Sequence, residues 1–205
     1  HRDLHLSIRR QRQMCIRDRL HTLDDPINDG LAEARGGMEP IYDGVAELWW
    51  KSVDDLNAFT TEEGAIAAQE LLDDEKQFID LPNSPLWFAY EYPQVNPTEY
   101  MVATQHSPLV KLFFCLRQPE NQSIEECQLY WRTNHGPLIR GVSTGFRMQR
   151  YLQVHHCENA MSKALTEARG TVVAPYVGHA EAWFNWPDLM MLGDEPEAAD
   201  AMRIA

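Results

Sequence analysis

The sequence lacks the signatures of several large protein classes. No apolar run approaches the roughly 18 residues that span a bilayer, and no secretory hydrophobic segment follows a start methionine. The sequence also has no Gly-rich phosphate loop, no Gly-x-Ser-x-Gly turn and no haem or flavin motif. The run His155-His156-Cys157 comes nearest to a metal motif, but neighbouring strand residues point to opposite faces and no second cluster has zinc spacing. We therefore expect no membrane span, no cofactor and no metal.

Residues 1–19 differ in composition from the rest of the chain, because they hold six arginines. Residues 14–19 read as the translation of a transposon end that is used to prepare sequencing libraries. One interpretation is an assembly artefact that is disordered in the protein, and the other is a basic arm for nucleic acid. We favour the artefact and leave residues 1–19 out of the fold prediction.

Without that segment the chain is strongly acidic, with 12 basic and 29 acidic residues and a net charge of about −17. Such a charge disfavours binding to phosphate backbones and anionic membranes, so we expect neither nucleic acid nor membrane as a partner. Three cysteines remain, at positions 115, 127 and 157, with no Cys-x-x-Cys pair. Free thiols of this kind are typical of the reducing cytoplasm.

An internal repeat organises the chain. Shifted by 134 positions, residues 31–54 align without a gap on residues 165–188, and 11 of the 24 pairs are identical. The identical pairs include Gly44 with Gly178, Glu47 with Glu181, and Trp49 with Trp183. The repeat predicts the C-terminal part of a first unit over residues 20–92, a linker over 93–108 and the N-terminal part of a second unit over 109–205. Both copies are expected to be incomplete.

Hydrophobic periodicity predicts the elements of both copies. Strands are expected over residues 45–50, 86–92, 109–116, 148–155 and 176–184, with Pro93 closing the second of them. Helices are expected over 53–74, broken near Gly64, over 124–134 and over 159–168, with a short amphipathic piece over 138–145 and a last helix from Pro187. In the first strand Val45, Glu47 and Trp49 share one face. Aligned on the repeat, the unit reads strand, helix, strand, strand, helix, strand, which is the ferredoxin-like order of an α+β fold.

The helix over residues 124–134 places a histidine at its C-terminal end. Ser123 and Glu126 form a capping box at its start, and Gly136-Pro137 is expected to end it, with the glycine in the left-handed conformation. His135 continues the apolar stripe of the helix. One interpretation is a capping histidine favoured by the helix dipole, and the other is a functional imidazole.

The pattern Trp131-x-x-x-His135-Gly136-Pro137, after an apolar strand and a capped helix, resembles the EthD-type family of dimeric α/β-barrel proteins. The resemblance extends to Arg150-Tyr151 and to Tyr176-x-Gly178-x-Ala180-Glu181-x-Trp183-Phe184. It implies that two ferredoxin-like units form a dimeric α/β barrel around a ligand cavity. The tandem copies imply that this barrel is an intramolecular pseudo-dimer, the alternative being a homodimer.

The repeated glutamates are the second candidate site. Glu47 shares a strand face with Trp49, and Glu181 shares one with Trp183, where burial would raise the pKa of each carboxyl group. The alternative is an ion pair, for which Arg35, Arg169 and Arg150 are the candidate partners.

A histidine and a glutamate in one apolar cavity suit cofactor-free proton transfer next to a carbonyl or lactone group. We expect His135 to act as the base and Glu181 to orient it or relay the proton. The ligand would be a small apolar or aromatic molecule, bound by Trp131, Tyr151, Trp183, Glu47 and Trp49. The family resemblance implies isomerase, cyclase or dehydratase chemistry. The alternative is a non-catalytic barrel that binds such a molecule or assembles with a partner enzyme.

Overall fold

The computed structural model describes residues 15–97, 101, 103, 104 and 106–190, with the backbone alone for residues 15–19. The described residues fall into two compact units, with the division between Asp74 and Glu75. Among these residues, no helix combines the length and the apolar character that crossing a membrane requires.

The first unit is built on an antiparallel pair of strands. Strand β1 (Cys15–His21) pairs with β2 (Gly44–Trp49), and helix α1 (Ile27–Ala34) lies between them in the chain. The side chains of β2 alternate between exposed and half-buried, with Glu47 among the half-buried ones. This confirms the predicted face. The helical stretch predicted over 53–74 is divided at Thr61, and not near Gly64, into a 3-10 helix (Val53–Thr60) and α2 (Glu62–Glu75).

Strand β1 corrects part of the prediction for residues 1–19. The prediction of disorder is wrong for residues 15–19, because they belong to β1 and pair with β2. Residues 1–14 lie outside the described residues. From position 18 to position 21 the register of β1 on β2 equals that of the equivalent strands in the second copy, and it shifts between Ile16 and Asp18.

The second unit contains a four-stranded antiparallel sheet. Its strands are β3 (Phe88–Val95), β4 (Leu109–Leu116), β5 (Arg150–Cys157) and β6 (Gly178–Asn185), in the order β3-β5-β6-β4. Helices α3 (Ile124–Tyr130) and α4 (Gly136–Val142) connect β4 to β5, α5 (Ala160–Arg169) precedes β6, and α6 (Trp186–Met190) follows it. Strands β4 and β5 flank the antiparallel β6, which is the split β-α-β arrangement of a ferredoxin-like fold.

Strand β3 joins the two copies of the repeat. In sequence it is the last strand of the first copy, yet it pairs with β5 of the second copy. The fourth strand of a ferredoxin-like unit would instead lie beside the first, here β4. The first copy therefore adds a strand to the far edge of the second copy's sheet. Closure of a barrel by the two copies stays a prediction.

Strand β3 also corrects the predicted linker. The prediction placed the end of this strand before Pro93, but the strand runs through Pro93 to Val95. Proline has no N–H group and is tolerated where no further strand needs that donor, as at an edge or a bulge. Both conditions hold here, because β3 is the outer strand in the described sheet and its register shifts between Pro93 and Val95.

The helical connection after β4 continues beyond the predicted end. The Ser123–Glu126 capping box is confirmed at the start of α3, where each partner accepts a backbone N–H of the other. Residues Trp131–His135 then form a π-helical turn that leads into α4. The predicted left-handed glycine cap is wrong, because Gly136 has right-handed helical angles. Pro137 lies in the first turn of α4, where a helix does not use the missing N–H group.

Candidate functional site

The two faces of the four-stranded sheet carry different side chains. Alternation along β5 places Tyr151, Gln153 and His155 on one face, which we call the helix face because Trp131 of the π turn packs on it. The opposite face, which we call the Glu181 face, carries His179, Glu181 and Trp183 of β6 together with Lys111, Phe113 and Cys115 of β4 and with Arg150, Leu152 and Val154 of β5.

The helix face holds a buried polar network under the π turn. The indole Nε1 of Trp131 donates a hydrogen bond to the hydroxyl of Tyr151 at 3.3 Å, and Gln153 donates from Nε2 to the Trp131 carbonyl at 2.9 Å. Gln153 has no exposed surface. The ring of His135 meets that of Tyr151 edge-on, with the ring centres 6.4 Å apart. His135 is therefore next to the network but only half-buried.

The imidazole of His155 is enclosed by this network. Its ring stacks on Trp131, with the ring centres 4.6 Å apart, and lies against Tyr92 on β3. Burial and, to a smaller extent, the charge of Arg132, whose guanidinium lies over Tyr92, together lower the pKa of His155 to about 4. The neutral imidazole is therefore the form that the fold favours.

We expect the second unit to lose stability in weak acid because of His155. A folded-state pKa below the ordinary value contributes stability that is complete above about pH 6.5 and is lost as the pH falls toward 4. With this shift, the free energy of unfolding should be about 2 kcal/mol lower near pH 5 than at neutral pH. Urea unfolding at a series of pH values measures the slope.

A histidine variant isolates this contribution. His155→Gln should flatten the pH slope between 6.5 and 4 even though the loss of stacking lowers stability at every pH. The matched control is His106→Gln, which removes an exposed histidine and should leave the slope unchanged. An unchanged slope in His155→Gln would assign the acid sensitivity to other groups, such as His156, whose pKa burial also lowers.

The Glu181 face contains a buried chain of three ionisable side chains. Lys111 Nζ lies 2.5 Å from Glu181 Oε2, and His179 Nε2 lies 3.1 Å from Glu181 Oε1. All three side chains are at most 7% exposed. A carboxylate only accepts hydrogen bonds, so this contact favours the His179 tautomer that carries its proton on Nε2, with Nδ1 as the basic nitrogen. Glu181 thus orients His179, and Lys111 neutralises the charge of the Glu181 carboxylate.

Aromatic rings surround this chain. Phe113 stacks on His179 with the ring centres 4.1 Å apart, and Trp87 meets the same imidazole edge-on at 5.8 Å. The ring centre of Trp183 lies 4.6 Å from Lys111 Nζ. Apolar walls around a carboxylate and an imidazole strengthen their electrostatic interaction, which is the setting that acid–base chemistry needs.

The structure separates the two predicted catalytic residues. His135 contacts Tyr151 on the helix face, whereas Glu181 lies on the opposite face of the same sheet. The prediction that Glu181 orients His135 in a shared cavity is therefore wrong, because the sheet lies between them. Trp131 and Tyr151 accompany His135, and Trp183 accompanies Glu181. The remaining two predicted residues, Glu47 and Trp49, lie on β2 of the first unit.

The partners of Glu181 were missed by the sequence prediction. Neither Arg150 nor Arg169 forms the predicted ion pair, since Lys111 occupies that position and Arg169 pairs with Glu75. Lys111 could have been noticed as the only charge in the apolar strand Leu109–Leu116. His179 could have been found from strand alternation, which places it two residues before Glu181 on the same face.

A comparison with protein families decides the wider assignment. The family model described as the EthD domain matches residues 2–82 and 119–203. The chain belongs to the EthD domain family. As a tandem pair of EthD domains, it has the ferredoxin-like α+β fold that its sequence predicted. The first EthD match begins at residue 2 and so includes the segment that we set aside. Neither the curated proteins nor the solved structures gave a match.

Proposed function

We propose that this EthD protein transfers protons, without a cofactor, on a small apolar or aromatic compound that contains a carbonyl or lactone group. The observation that supports the proposal is the buried chain Lys111–Glu181–His179 on a sheet face lined with aromatic rings. On a carbonyl or lactone compound, reactions of the isomerase, cyclase and dehydratase type can each begin with such a transfer. The base that we propose is His179, in place of His135.

The proposed step begins with Nδ1 of His179. This nitrogen takes a proton from the carbon next to the carbonyl group, and the electron pair of that C–H bond forms an enolate. The imidazole becomes an imidazolium that donates its Nε2 proton toward Glu181, so the charge that develops on the ring is stabilised. Return of the proton to another atom of the enolate gives the isomer and restores neutral His179.

The stacked rings explain how the base is held in position. Phe113 packs on one face of the imidazole, and the Glu181 carboxylate fixes the ring nitrogen that carries the proton. A general base whose orientation is fixed in this way needs little reorganisation when it reacts. The same aromatic walls favour a flat, apolar ligand over a hydrated one.

The test compares two histidines on opposite faces of the sheet. His179→Gln should lower turnover by about a hundredfold or more, because general acid–base catalysis contributes that much, whereas ligand affinity should change little. The matched variant His135→Gln should keep its turnover, since His135 lies on the helix face. Turnover is measured with a panel of aromatic ketones and lactones, by solvent deuterium exchange at the carbon next to the carbonyl group.

The other outcomes of this test are informative. If His135→Gln lost turnover and His179→Gln kept it, the site would lie under the π turn, a feature that is common at functional sites. If the panel bound but exchanged no deuterium in the unchanged protein, the chain would be a binding protein without catalysis. That is the alternative function, and the aromatic lining of the Glu181 face is what favours it.

We also propose the cytoplasm as the location of the protein. Cys115, Cys127 and Cys157 form no disulfide in the described part of the chain. Burial raises the pKa of the Cys127 and Cys157 thiols, which keeps them in the neutral and less reactive form. These cysteines therefore have the properties of packed side chains in a reducing compartment.

A further inference from the structure

Arg150 is a cation on the Glu181 face that has no acidic partner among the described residues. It opens β5 and lies opposite Trp183 on β6, and the centre of its guanidinium is 4.9 Å from the ring centre of Trp183. Its Nε atom is buried and has no hydrogen-bond partner within the described part of the chain. Arg150 is thus held in place by its side chain's packing on an indole ring.

Four other cations of the second unit are differently placed. Lys111 pairs with Glu181, Arg147 with Asp188, and Arg169 with Glu75. Arg117 donates two hydrogen bonds to the carbonyls of Ala174 and Pro175. Arg150 differs from these four because, among the described residues, its charge is compensated only by a ring.

A buried N–H group without a partner is destabilising, because it has lost its hydrogen bonds to water and gained none in the protein. Arginine cannot relieve this by losing its proton, because its pKa is too high. Its planar guanidinium matches the two oxygens of a carboxylate, and stacking on an aromatic ring leaves the edge of the guanidinium open for such a pair. An anionic oxygen is therefore the acceptor that best suits the guanidinium of Arg150.

We propose that Arg150 binds a carboxylate of the substrate, so that the substrate class is an aromatic or apolar acid. The inference rests on the proposed function, because it places the acid on the same sheet face as Glu181 and His179. Along β6, His179 is four residues from Trp183, the neighbour of Arg150, which is about 13 Å of extended chain. The carboxylate therefore holds the substrate at one end, and the reacting carbon lies elsewhere in the molecule.

Direct binding tests this proposal on the unchanged protein. The probes are 1-naphthoate and 1-naphthamide, which have the same rings but differ in charge. We expect naphthoate to bind about tenfold more tightly or better, since a charge-assisted hydrogen bond contributes that much. Quenching of tryptophan fluorescence gives both affinities, because Trp183 lies against the guanidinium. Equal affinity for the two probes, or no binding of naphthoate up to its solubility limit, would overturn the proposal.

A variant pair locates the effect. Arg150→Gln should remove the preference for naphthoate, while Arg132→Gln should retain it, because Arg132 lies over Tyr92 on the helix face. A preference that survived in Arg150→Gln would refute the assignment to this residue. If that variant does not fold, the Nε–H signal of Arg150 in the unchanged protein gives the same decision by NMR. The signal should shift with naphthoate and not with naphthamide. A signal that naphthoate does not shift would contradict the proposal.

These measurements separate the two proposals. Binding of naphthoate through Arg150 requires no turnover, so a positive result stands even if the unchanged protein exchanges no deuterium with any compound of the panel. In that case the protein would be a carboxylate-binding barrel without catalysis. A chain that exchanged deuterium normally but showed no charge preference would instead retain the proposed function and lose the proposed substrate class.

Discussion

Replacing Glu181 with leucine should lower the free energy of unfolding by about 3–5 kcal/mol, because the change removes a buried carboxylate and leaves the buried Lys111 ammonium without it. One further effect adds to the loss, because His179 loses the acceptor for its Nε2 proton. The ring of Trp183, whose centre is 4.6 Å from the ammonium, attracts it too weakly to compensate. Guanidinium unfolding followed by circular dichroism at neutral pH measures the change.

Two controls make this result specific to the buried pair. The double variant Lys111→Met, Glu181→Leu should recover most of the stability, because a buried ion pair replaced by apolar groups of similar size is often tolerated. The variant Glu167→Gln breaks the exposed pair of Lys163 and Glu167 and should cost less than about 0.5 kcal/mol. A Glu181→Leu effect as small as that of Glu167→Gln would mean that water reaches Lys111.

Substituting alanine for Gly178 should lower the stability of the second unit by about 3 kcal/mol, because no space exists for a side chain at this position. A Cβ atom there would stand 2.1 Å from the carbonyl oxygen of Val154 and 3.2 Å from the Cα of His155. Both are backbone atoms of the neighbouring strand, which cannot turn away as a flexible side chain would. Either β5 or β6 must therefore shift.

A second glycine provides the control. Gly141 lies in α4 with no atom within 4 Å of the Cβ position, so Gly141→Ala should be neutral or stabilising by up to about 1 kcal/mol. Thermal unfolding of the two variants gives the comparison. A Gly178→Ala protein as stable as Gly141→Ala would show that the two strands separate easily at this position.

The repeat explains why these glycines could be identified from the sequence. Gly44 makes the same contact in the first copy, where a Cβ would stand 2.3 Å from the carbonyl of Leu20, the residue equivalent to Val154. Gly36 and Gly170 likewise share a left-handed backbone after a helix. Where the backbone requires glycine in both copies, the same glycine appears at both positions, and the sequence alone shows this.

Local signals predicted local structure well. The apolar run of β4 gave its correct bounds, and the Ser123–Glu126 box gave the correct start of α3. The same signals gave the wrong end of that helix, because Gly136 and Pro137 are compatible both with a helix end and with the start of a following helix. The choice was made by packing, since Gly136 lies close against Gln94 and Gln153.

The candidate site could not be predicted from local sequence patterns, because it depends on which strands are neighbours in the sheet. Lys111 and Glu181 meet because β4 and β6 are neighbours in a particular register, and Phe113 is the residue directly opposite Glu181. A sequence predicts which face of a strand a residue occupies, but not which strand lies beside it. For the same reason His135 and Glu181 were assigned to one cavity, although they belong to opposite faces of the sheet.

The pairing of β3 with β5 has a consequence for the protein at low concentration. Because both strands belong to one chain, their association is intramolecular, and the effective concentration of one strand near the other is set by the connecting residues. Two subunits that exchange such a strand separate when they are diluted, since their association is bimolecular. In this protein the sheet that carries Lys111, Glu181 and His179 keeps its outer strand at any dilution.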